Sequence, residues 1–443
     1  MNIYKKYLLS REKKIGVWGT GYIGLSTMAY FAREKIESIG YDVDPKKVDD
    51  INKGNLPIKE LRGWFGFGIN DLVDKKLIKA TGNYRELISH DIIVHFIAIP
   101  TEKNGKPFFE ILIDVLNKLS EYKNISKGLP PLIIVESTLT PKTSERIIIS
   151  LLENKGLNVG KDILLAVAPR RDWFVDGGKS LKDLDRIYGA TDDHTAEISQ
   201  NVLGIVCNKL HRASNYRVSE MVKSIENAYR HMEITLANQL SIAYPDENMR
   251  EVLKLVGTKW NIGTFYPGFG TGGYCIPLSS QYVLQEVNDQ SKLTILRETI
   301  KTDNEINILI ARTFIKKRFR NIGVLGLSYK GNLKVSILSP IIPFVKEIKK
   351  NGINIKLFDP HFSNDEVKKI ADVDSFSFPE GLSQFDALVI SVDHKEFFVS
   401  SETINNHMKN CKYVLDNLGI WRDLNLDKLG IEYHVSGEAN WLG

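Results

Sequence analysis

The residues best suited to chemistry lie in Tyr266-Pro-Gly-Phe-Gly-Thr-Gly-Gly-Tyr-Cys275-Ile-Pro-Leu-Ser-Ser280. Four glycines, Gly268, Gly270, Gly272 and Gly273, crowd the residues before one cysteine, and Pro277 follows it. Glycines at this density let a backbone take positive φ and come close to a ligand. A cysteine at the tip of such a loop is presented to solvent, and its thiolate is a nucleophile. The plain alternative is a tight turn with a buried thiol, the usual place of a free cysteine.

A second stretch suits an anion. The apolar run Ile15-Gly-Val-Trp18 reads as a buried strand, and Gly19-Thr-Gly21-Tyr22-Ile23-Gly24 follows at once. A helix is predicted over residues 25–36, then a strand, Ser38-Ile-Gly-Tyr41, ending at Asp42. This is the order of a Rossmann unit. Gly19 allows the tight turn, Gly21 lets a pyrophosphate approach and Gly24 lets helix and strand pack. The phosphates would sit on the helix N-terminus. Asp42 is placed for a ribose hydroxyl, and its charge would repel a 2′-phosphate, so the spacing favours NAD over NADP. A ligand-free structural turn is the alternative.

The elements that must position these residues follow the same plan. Strands are predicted at 91–99, 131–135 and 163–167, with helices between them at about 107–122 and 143–154. Ligands in doubly wound sheets bind beyond the carboxyl ends of strands. Pro100, Thr101, Glu136, Ser137, Thr138 and Arg170 fall at such ends, although Ser137 and Thr143 could equally be helix N-caps. Residues 218–244 hold no glycine or proline and read as one long helix. Met221, Ile225, Ala228, Met232 and Leu236 cluster on one side of it. Lys223, Asn227, Arg230, His231 and Asn238 fall on the other, either as a solvated face or, for Lys223 and Asn227, as part of an active site. Strands at 321–325, 353–358, 386–391 and 412–416, with a turn glycine at Gly326, outline a second Rossmann-like lobe. The fold class expected is α/β: two Rossmann-like doubly wound domains joined by a long central helix and a helical middle domain. The expected boundaries are 1–205 for NAD binding, 206–300 for the central helical and dimerisation domain carrying the cysteine loop, and 301–443 for the C-terminal domain.

Composition sets outer limits. The 443 residues are 43% apolar and 26% charged, and 59 basic against 54 acidic residues leave a net charge of +5. That is mild for the length, so no nucleic-acid partner is expected. Three cysteines are too few for a disulfide framework and fit a reducing cytoplasm. No apolar run reaches membrane-spanning length, and neither a signal peptide nor a metal-ligand pattern is expected.

The chain resembles the UDP-glucose/GDP-mannose dehydrogenase family, the nucleotide-sugar 6-dehydrogenases, over about residues 14–416. The matching motifs are Gly270-x-Gly-Gly-x-Cys275-Ile-Pro277, Glu220-Met-Val-Lys223-x-x-Glu-Asn227-x-x-Arg230 with Asn238, Gly326-Leu-Ser-Tyr-Lys330 with Ser339-Pro340, and Ile99-Pro-Thr101. Their wording is most similar to members acting on UDP-N-acetylhexosamines. The resemblance implies a cytoplasmic enzyme of polysaccharide biosynthesis, a homodimer through the central helix. It implies four-electron oxidation of a sugar C6 hydroxyl to a carboxylate, with two NAD reduced. Cys275 would be the nucleophile, Lys223 a charge beside it, Asn227 a hydrogen-bond donor and Thr138 the holder of a water. Tyr266, Lys330 and the loop glycines Gly270, Gly272 and Gly273 would fix the nucleotide sugar; Lys330 would also be near the cofactor. Four motif positions depart from the pattern. Ser279 stands where relatives carry Asp and Arg170 where they carry Glu, while Val335 and Ile337 replace Asp and Arg. These losses point to a divergent substrate or an altered reaction, with Arg170 a candidate for an acidic substrate group. The alternatives are a homologue that binds without turnover and a two-electron dehydrogenase of the hydroxyacid type.

Overall fold

The computed structural model describes residues 2–58, 61–103, 105–125, 128–172 and 180–442. It divides into two compact units, Met1–Glu226 and Asn227–Gly443. Both are α/β, as the spacing predicts.

The first unit is built on an eight-stranded sheet. Its strands are β1 (Lys14–Trp18), β2 (Ser38–Tyr41), β3 (Ile78–Thr81), β4 (Ile92–Ile97), β7 (Leu132–Val135), β8 (Leu164–Val167), β9 (Asp185–Ala190) and β10 (Lys209–Arg212); β5 (Glu102–Lys103) and β6 (Lys106–Pro107) form a separate hairpin. The order is β10-β9-β8-β7-β4-β1-β2-β3. Every pairing is parallel except β8 with β9. All residues of β4, β7 and β8 are buried, as expected for parallel strands covered on both faces. Neighbouring residues of one strand enter different cores. Val17 and Ile134 pack with Met28 and Phe31, whereas Trp18 and Ile133 pack with Leu112 and Leu152. The strands β3, β9 and β10 escape sequence reading because they lack a continuous apolar run.

The helix expected from Thr143 also differs. A π-helical turn, Ser144–Ile149, precedes the α-helix Ser150–Asn154. Thr143 does not cap it through its side chain. The buried Glu220 carboxylate does so instead, accepting the N–H groups of Thr143 at 3.0 Å and Ser144 at 2.8 Å. Burial holds the Glu220 carboxyl above its ordinary pKa despite those donors.

The second unit carries a five-stranded parallel sheet: β11 (Asn321–Leu325), β12 (Asn354–Phe358), β13 (Ala387–Ile390), β14 (Tyr413–Asp416) and β15 (Glu432–Val435), ordered β12-β11-β13-β14-β15. It repeats a local device of the first unit. Gly19 after β1 and Gly326 after β11 both have positive φ, 86° and 106°. The acid ending the next strand then accepts turn N–H groups. Thr20 donates to Asp42 at 2.9 Å, and Leu327 and Ser328 donate to Asp359 at 2.8 and 2.9 Å. In the second unit His394 also caps the acid, its Nε2 3.0 Å from Asp359. Burial pushes the Asp359 carboxyl up, but His394, Ser328 and His361 outweigh it and hold it at about 2. A carboxyl depressed in the folded state stabilises above its unfolded pKa and loses that contribution as pH falls through the folded one. Asp359 should therefore contribute about 2 kcal/mol that disappears between about pH 4 and pH 2. Chemical unfolding of Asp359→Asn across that range should show a flatter loss of stability than the parent chain.

The helix Tyr216–Ala243 runs across the boundary between the units. Its polar stripe is the buried one: Glu220, Ser224, Asn227, His231, Thr235, Asn238 and Ser241 are all buried. Its apolar stripe is only partly buried: Met221 and Leu236, with Tyr229 beside them, are 39%, 54% and 62% exposed, Ile225 and Met232 are half-buried, and Ala228 is buried. The solvated-face alternative for Asn227, His231 and Asn238 is thereby overturned. Among the described residues no helix is long and apolar enough to cross a membrane.

Candidate active site

The glycine turn of the first unit has the shape a pyrophosphate needs. A Cβ on Gly24 would lie 1.8 Å from the Gly19 carbonyl oxygen, so helix and strand touch there. A Cβ on Gly21 would meet nothing within 4 Å, so the space in front of it is open. The helix Tyr22–Arg33 begins with no side-chain cap, which leaves its first N–H groups for an anion. Tyr22 is exposed and Ile23 half-buried beside that opening. Asp42 is buried, accepting Thr20 N–H at 2.9 Å, the Thr20 hydroxyl at 2.8 Å and Asp44 N–H at 3.0 Å. Burial pushes its carboxyl up, but these donors and Lys47 outweigh it and hold it below the ordinary value. The acid is thus charged at neutral pH and placed at the end of β2. These features fit NAD.

At the other strand ends, Pro100 is exposed, and the Thr101 hydroxyl donates to the Thr138 carbonyl at 2.6 Å, leaving the Thr138 side chain half-buried. Ser137 is a staple: its hydroxyl accepts Ile99 N–H at 2.9 Å and donates to Ile99 O at 2.8 Å. Its one O–H is directed to a main-chain carbonyl of the protein. Lys223 is 13% exposed and lies 3.0 Å from Glu226, whose other oxygen receives Arg171 at 2.7 Å.

Arg170 requires a larger correction. It is buried and bonds to Asp172 (2.6 and 2.9 Å), Thr27 (2.6 Å) and Ser26 (2.7 Å), with Glu136 3.6 Å away. Arg186 joins the same Glu136, and Thr27 donates to Glu136 at 2.6 Å. Two arginines and two carboxylates thus neutralise each other inside the fold, tying the glycine-turn helix to the ends of β7 and β8. Burial lowers both guanidiniums; Asp172 and Glu136 more than offset this at Arg170 and not at Arg186. No Arg170 nitrogen remains for a substrate acid. Removing one partner of such a cluster strands a buried charge. Arg170→Met should cost about 3–5 kcal/mol in thermal or chemical unfolding.

In the second unit Cys275 is the exposed thiol; Cys207 and Cys411 are buried. It is the first residue of the helix Cys275–Gln285, which no side chain caps. The loop-tip cysteine of the sequence is therefore a helix-start cysteine, where free N–H groups favour negative charge. The glycines before it lie against one ring. Added Cβ atoms on Gly272 and Gly273 would come within 2.5 and 2.7 Å of Tyr329. Gly273 N–H donates to Ile337 O at 3.0 Å. Burial and then the Cys275 charge raise the Tyr329 hydroxyl pKa. The cysteine loop thus packs on the Gly326–Lys330 turn, where Lys330 is half-buried. Tyr266 is partly exposed beneath the Arg250 guanidinium, 4.9 Å from the ring centroid. Asn227 Nδ2 donates to Ser279 Oγ at 3.0 Å, so the amide meets the serine one turn after Cys275. The sequence missed Asp303 and Asn307, one turn apart on the helix Thr294–Lys316, which bind Thr271 and Phe269 of the loop. Their signal was two polar residues on an apolar helix face.

These features lie along the chain as they do in one known family. Residues 13–205 match the NAD binding domain of the UDP-glucose/GDP-mannose dehydrogenase family, residues 217–306 its central domain and residues 323–423 its UDP binding domain. The chain belongs to this family. It is an NAD-dependent nucleotide-sugar dehydrogenase. Protein CapL of Staphylococcus aureus is 29% identical to this dehydrogenase, covering 96% of its chain and 99% of CapL. A UDP-N-acetyl-D-mannosamine dehydrogenase of Methanococcus aeolicus is 27% identical, covering 93% of each chain. The solved structure of the UDP-D-ManNAc dehydrogenase of Pyrococcus horikoshii superposes with a TM-score of 0.81 at 27% identity, covering 96% of this chain and 100% of the other. The family's divisions put the glycine turn and Asp42 in the NAD binding domain, Lys223, Asn227 and Cys275 in the central domain, and Gly326–Lys330 in the UDP binding domain.

Proposed function

We propose that this dehydrogenase converts the C6 hydroxyl of a UDP-sugar, one of the N-acetylhexosamine class, to the carboxylate, with Cys275 as nucleophile. The observation that carries the reading is the exposed thiol at a helix start, set in glycines against the Gly326–Lys330 turn of the UDP binding domain. The relatives' names support the sugar class. Gly19, Gly21, Tyr22, Ile23, Gly24, Asp42, Pro100, Thr101 and Lys330 hold the cofactor in this reading. NAD supplies a hydride acceptor at each of two oxidations.

The residues then act in order. Loss of the C6 hydroxyl proton and a first hydride gives the aldehyde. The Cys275 sulfur adds to its carbon, and the oxygen becomes an oxyanion. Lys223 supplies positive charge and Asn227 a hydrogen bond to that oxygen. Loss of a second hydride from the thiohemiacetal leaves a thioester. A water held by Thr138 adds, the carbon–sulfur bond breaks, and the uronate leaves with Cys275 restored. Tyr266, Gly270, Gly272, Gly273 and Lys330 line the nucleotide-sugar side. Cytoplasmic location belongs to the same reading.

A panel of UDP- and GDP-sugars with NAD, followed by NADH absorbance, tests this. Turnover is expected on a UDP-N-acetylhexosamine, and silence across the panel would reject it. The Ser279–Asn227 contact favours one other reading, a homologue that binds without turnover. Calorimetric binding with no NADH would select that reading.

The open apolar stripe Val218, Met221, Tyr229, Leu236 supports a second copy of the chain as its cover. Leu236→Asp should shift a dimer to monomer in analytical ultracentrifugation. An unchanged mass would remove the helix from the interface.

A further inference from the structure

The polar stripe of the long helix converges on the segment that carries Cys275, and it does so from both sides of the sulfur. Four residues before the cysteine, Thr271 donates its N–H to Asp303 at 2.9 Å and its hydroxyl to the same carboxylate at 2.5 Å. Five residues after it, Ser280 Oγ lies 2.9 Å from His231 Nδ1. The two ends are joined, because His231 Nε2 lies 3.1 Å from Asp303 Oδ2. A carboxylate only accepts, so Nε2 carries the hydrogen, and in the neutral ring Nδ1 receives the Ser280 O–H. His231, Asp303, Thr271 and Ser280 are all buried. Gly270 has φ 93°, and a Cβ there would stand 2.7 Å from Asp303 Oδ1, so the carboxylate approaches where only glycine leaves room.

Buried polar groups are costly unless bonded, and an apolar plug of this size would stabilise as well or better. What the polar version adds is direction. It fixes one backbone segment on each side of a single exposed thiol. We propose that His231 and Asp303 form a positioning strap that holds the turn 271–280, and with it Cys275, in the geometry of attack. This rests on Cys275 being the nucleophile. The strap touches neither substrate nor cofactor in this proposal; it acts through the cysteine.

The test uses the full chain with NAD and the UDP-sugar found by the panel. His231→Phe and Asp303→Asn should each lower kcat about 100-fold, the scale of a misplaced reacting group, with KM for NAD unchanged within about twofold. The double variant should be no worse than the singles, because the pair acts as one unit. His231→Gln, which can still donate to Asp303, should recover part of the loss. Ser280→Ala, a lost hydroxyl that the fold should survive, should lower kcat about tenfold. Thr235→Val serves as control, since that buried hydroxyl on the same stripe has no partner among the described residues; it should leave kcat unchanged. Independently of turnover, iodoacetamide should alkylate Cys275 about fivefold more slowly in His231→Phe as the helix start frays. Parent-like kcat and alkylation in His231→Phe and Ser280→Ala would overturn the strap, as would losses that multiply in the double variant. If the parent enzyme itself shows no turnover, the nucleotide-sugar reading fails, and the alkylation rates still decide whether the strap sets the thiol.

Discussion

Cys275→Ala should abolish uronate formation, lowering kcat by at least about a thousandfold, the scale seen when a covalent nucleophile is removed. The fold should survive the change. Cys275 is exposed and begins its helix, so alanine there opens no core cavity and suits a helical position. KM for the sugar should move little, because Lys330, Tyr266 and the loop glycines remain. Any residual reaction should stop after one hydride, at the aldehyde, since no sulfur remains to make the second oxidation a thiohemiacetal-to-thioester step. Quantifying NADH and uronate separately in the variant checks this. Full uronate production would remove the thiol from the mechanism.

The second large effect comes from the glycine turn, where two alanine substitutions should fail in different ways. Gly24→Ala would put a Cβ 1.8 Å from the Gly19 carbonyl oxygen. That atom belongs to a backbone turn with φ 86°, and the Gly19 side is itself closed: a Cβ on Gly19 would stand 2.6 Å from Ala98 O. Neither neighbour can yield cheaply. A loss of about 3 kcal/mol or more in stability is expected, with NAD binding lost alongside. Gly21→Ala should do the reverse. Its Cβ meets nothing within 4 Å and its φ is −71°, so thermal stability should stay near the parent's. The new methyl would occupy the space in front of the helix start, and the Kd for NAD should rise at least about tenfold, a loss of about 1.4 kcal/mol. Thermal unfolding and NAD titration of the two variants separate the roles. Normal NAD affinity in Gly21→Ala would mean that the phosphates do not approach that glycine.

Much of the fold was legible because parallel strands are written as apolar runs. Ile15–Trp18, Leu132–Val135 and Asn321–Leu325 were each visible, and the glycine turns between strand and helix marked Gly19 and Gly326. The strands Asp185–Ala190, Lys209–Arg212 and Glu432–Val435, at or next to a sheet edge, were not. They alternate or mix polar residues, and pairing with a neighbour rather than their own pattern makes them strands. The long helix was legible in extent and misleading in orientation. Much of its apolar stripe is open and most of its polar stripe buried, because the inward face meets polar groups of the cysteine loop and its helix: Asn238 accepts from Gly268 N–H at 2.7 Å, and Asn227 donates to the Ser279 hydroxyl at 3.0 Å.

At the site, residue types were read more reliably than residue partners. Asp42 stands at the strand end that its motif implies, and Cys275 is exposed as its loop implies but begins a helix rather than topping a loop. Arg170 was assigned to a substrate because it replaced a motif acid. It is instead one of a buried quartet with the nearby Asp172 and with Glu136 and Arg186, which lie on other segments and share no motif with it. The strap of His231 and Asp303 was hidden for the same reason. Its two halves are 72 positions apart and become one object only when two helices pack around the loop.

The account stands on four electrons leaving one carbon through one sulfur. Supplying the parent enzyme with a limiting amount of its UDP-sugar and excess NAD, and counting NADH formed per sugar consumed, tests that directly. The account predicts two NADH for each sugar, with the uronate as the sole product. One NADH per sugar, with an aldehyde or ketone accumulating, would contradict it and mark a two-electron dehydrogenase in which Cys275 has no covalent role.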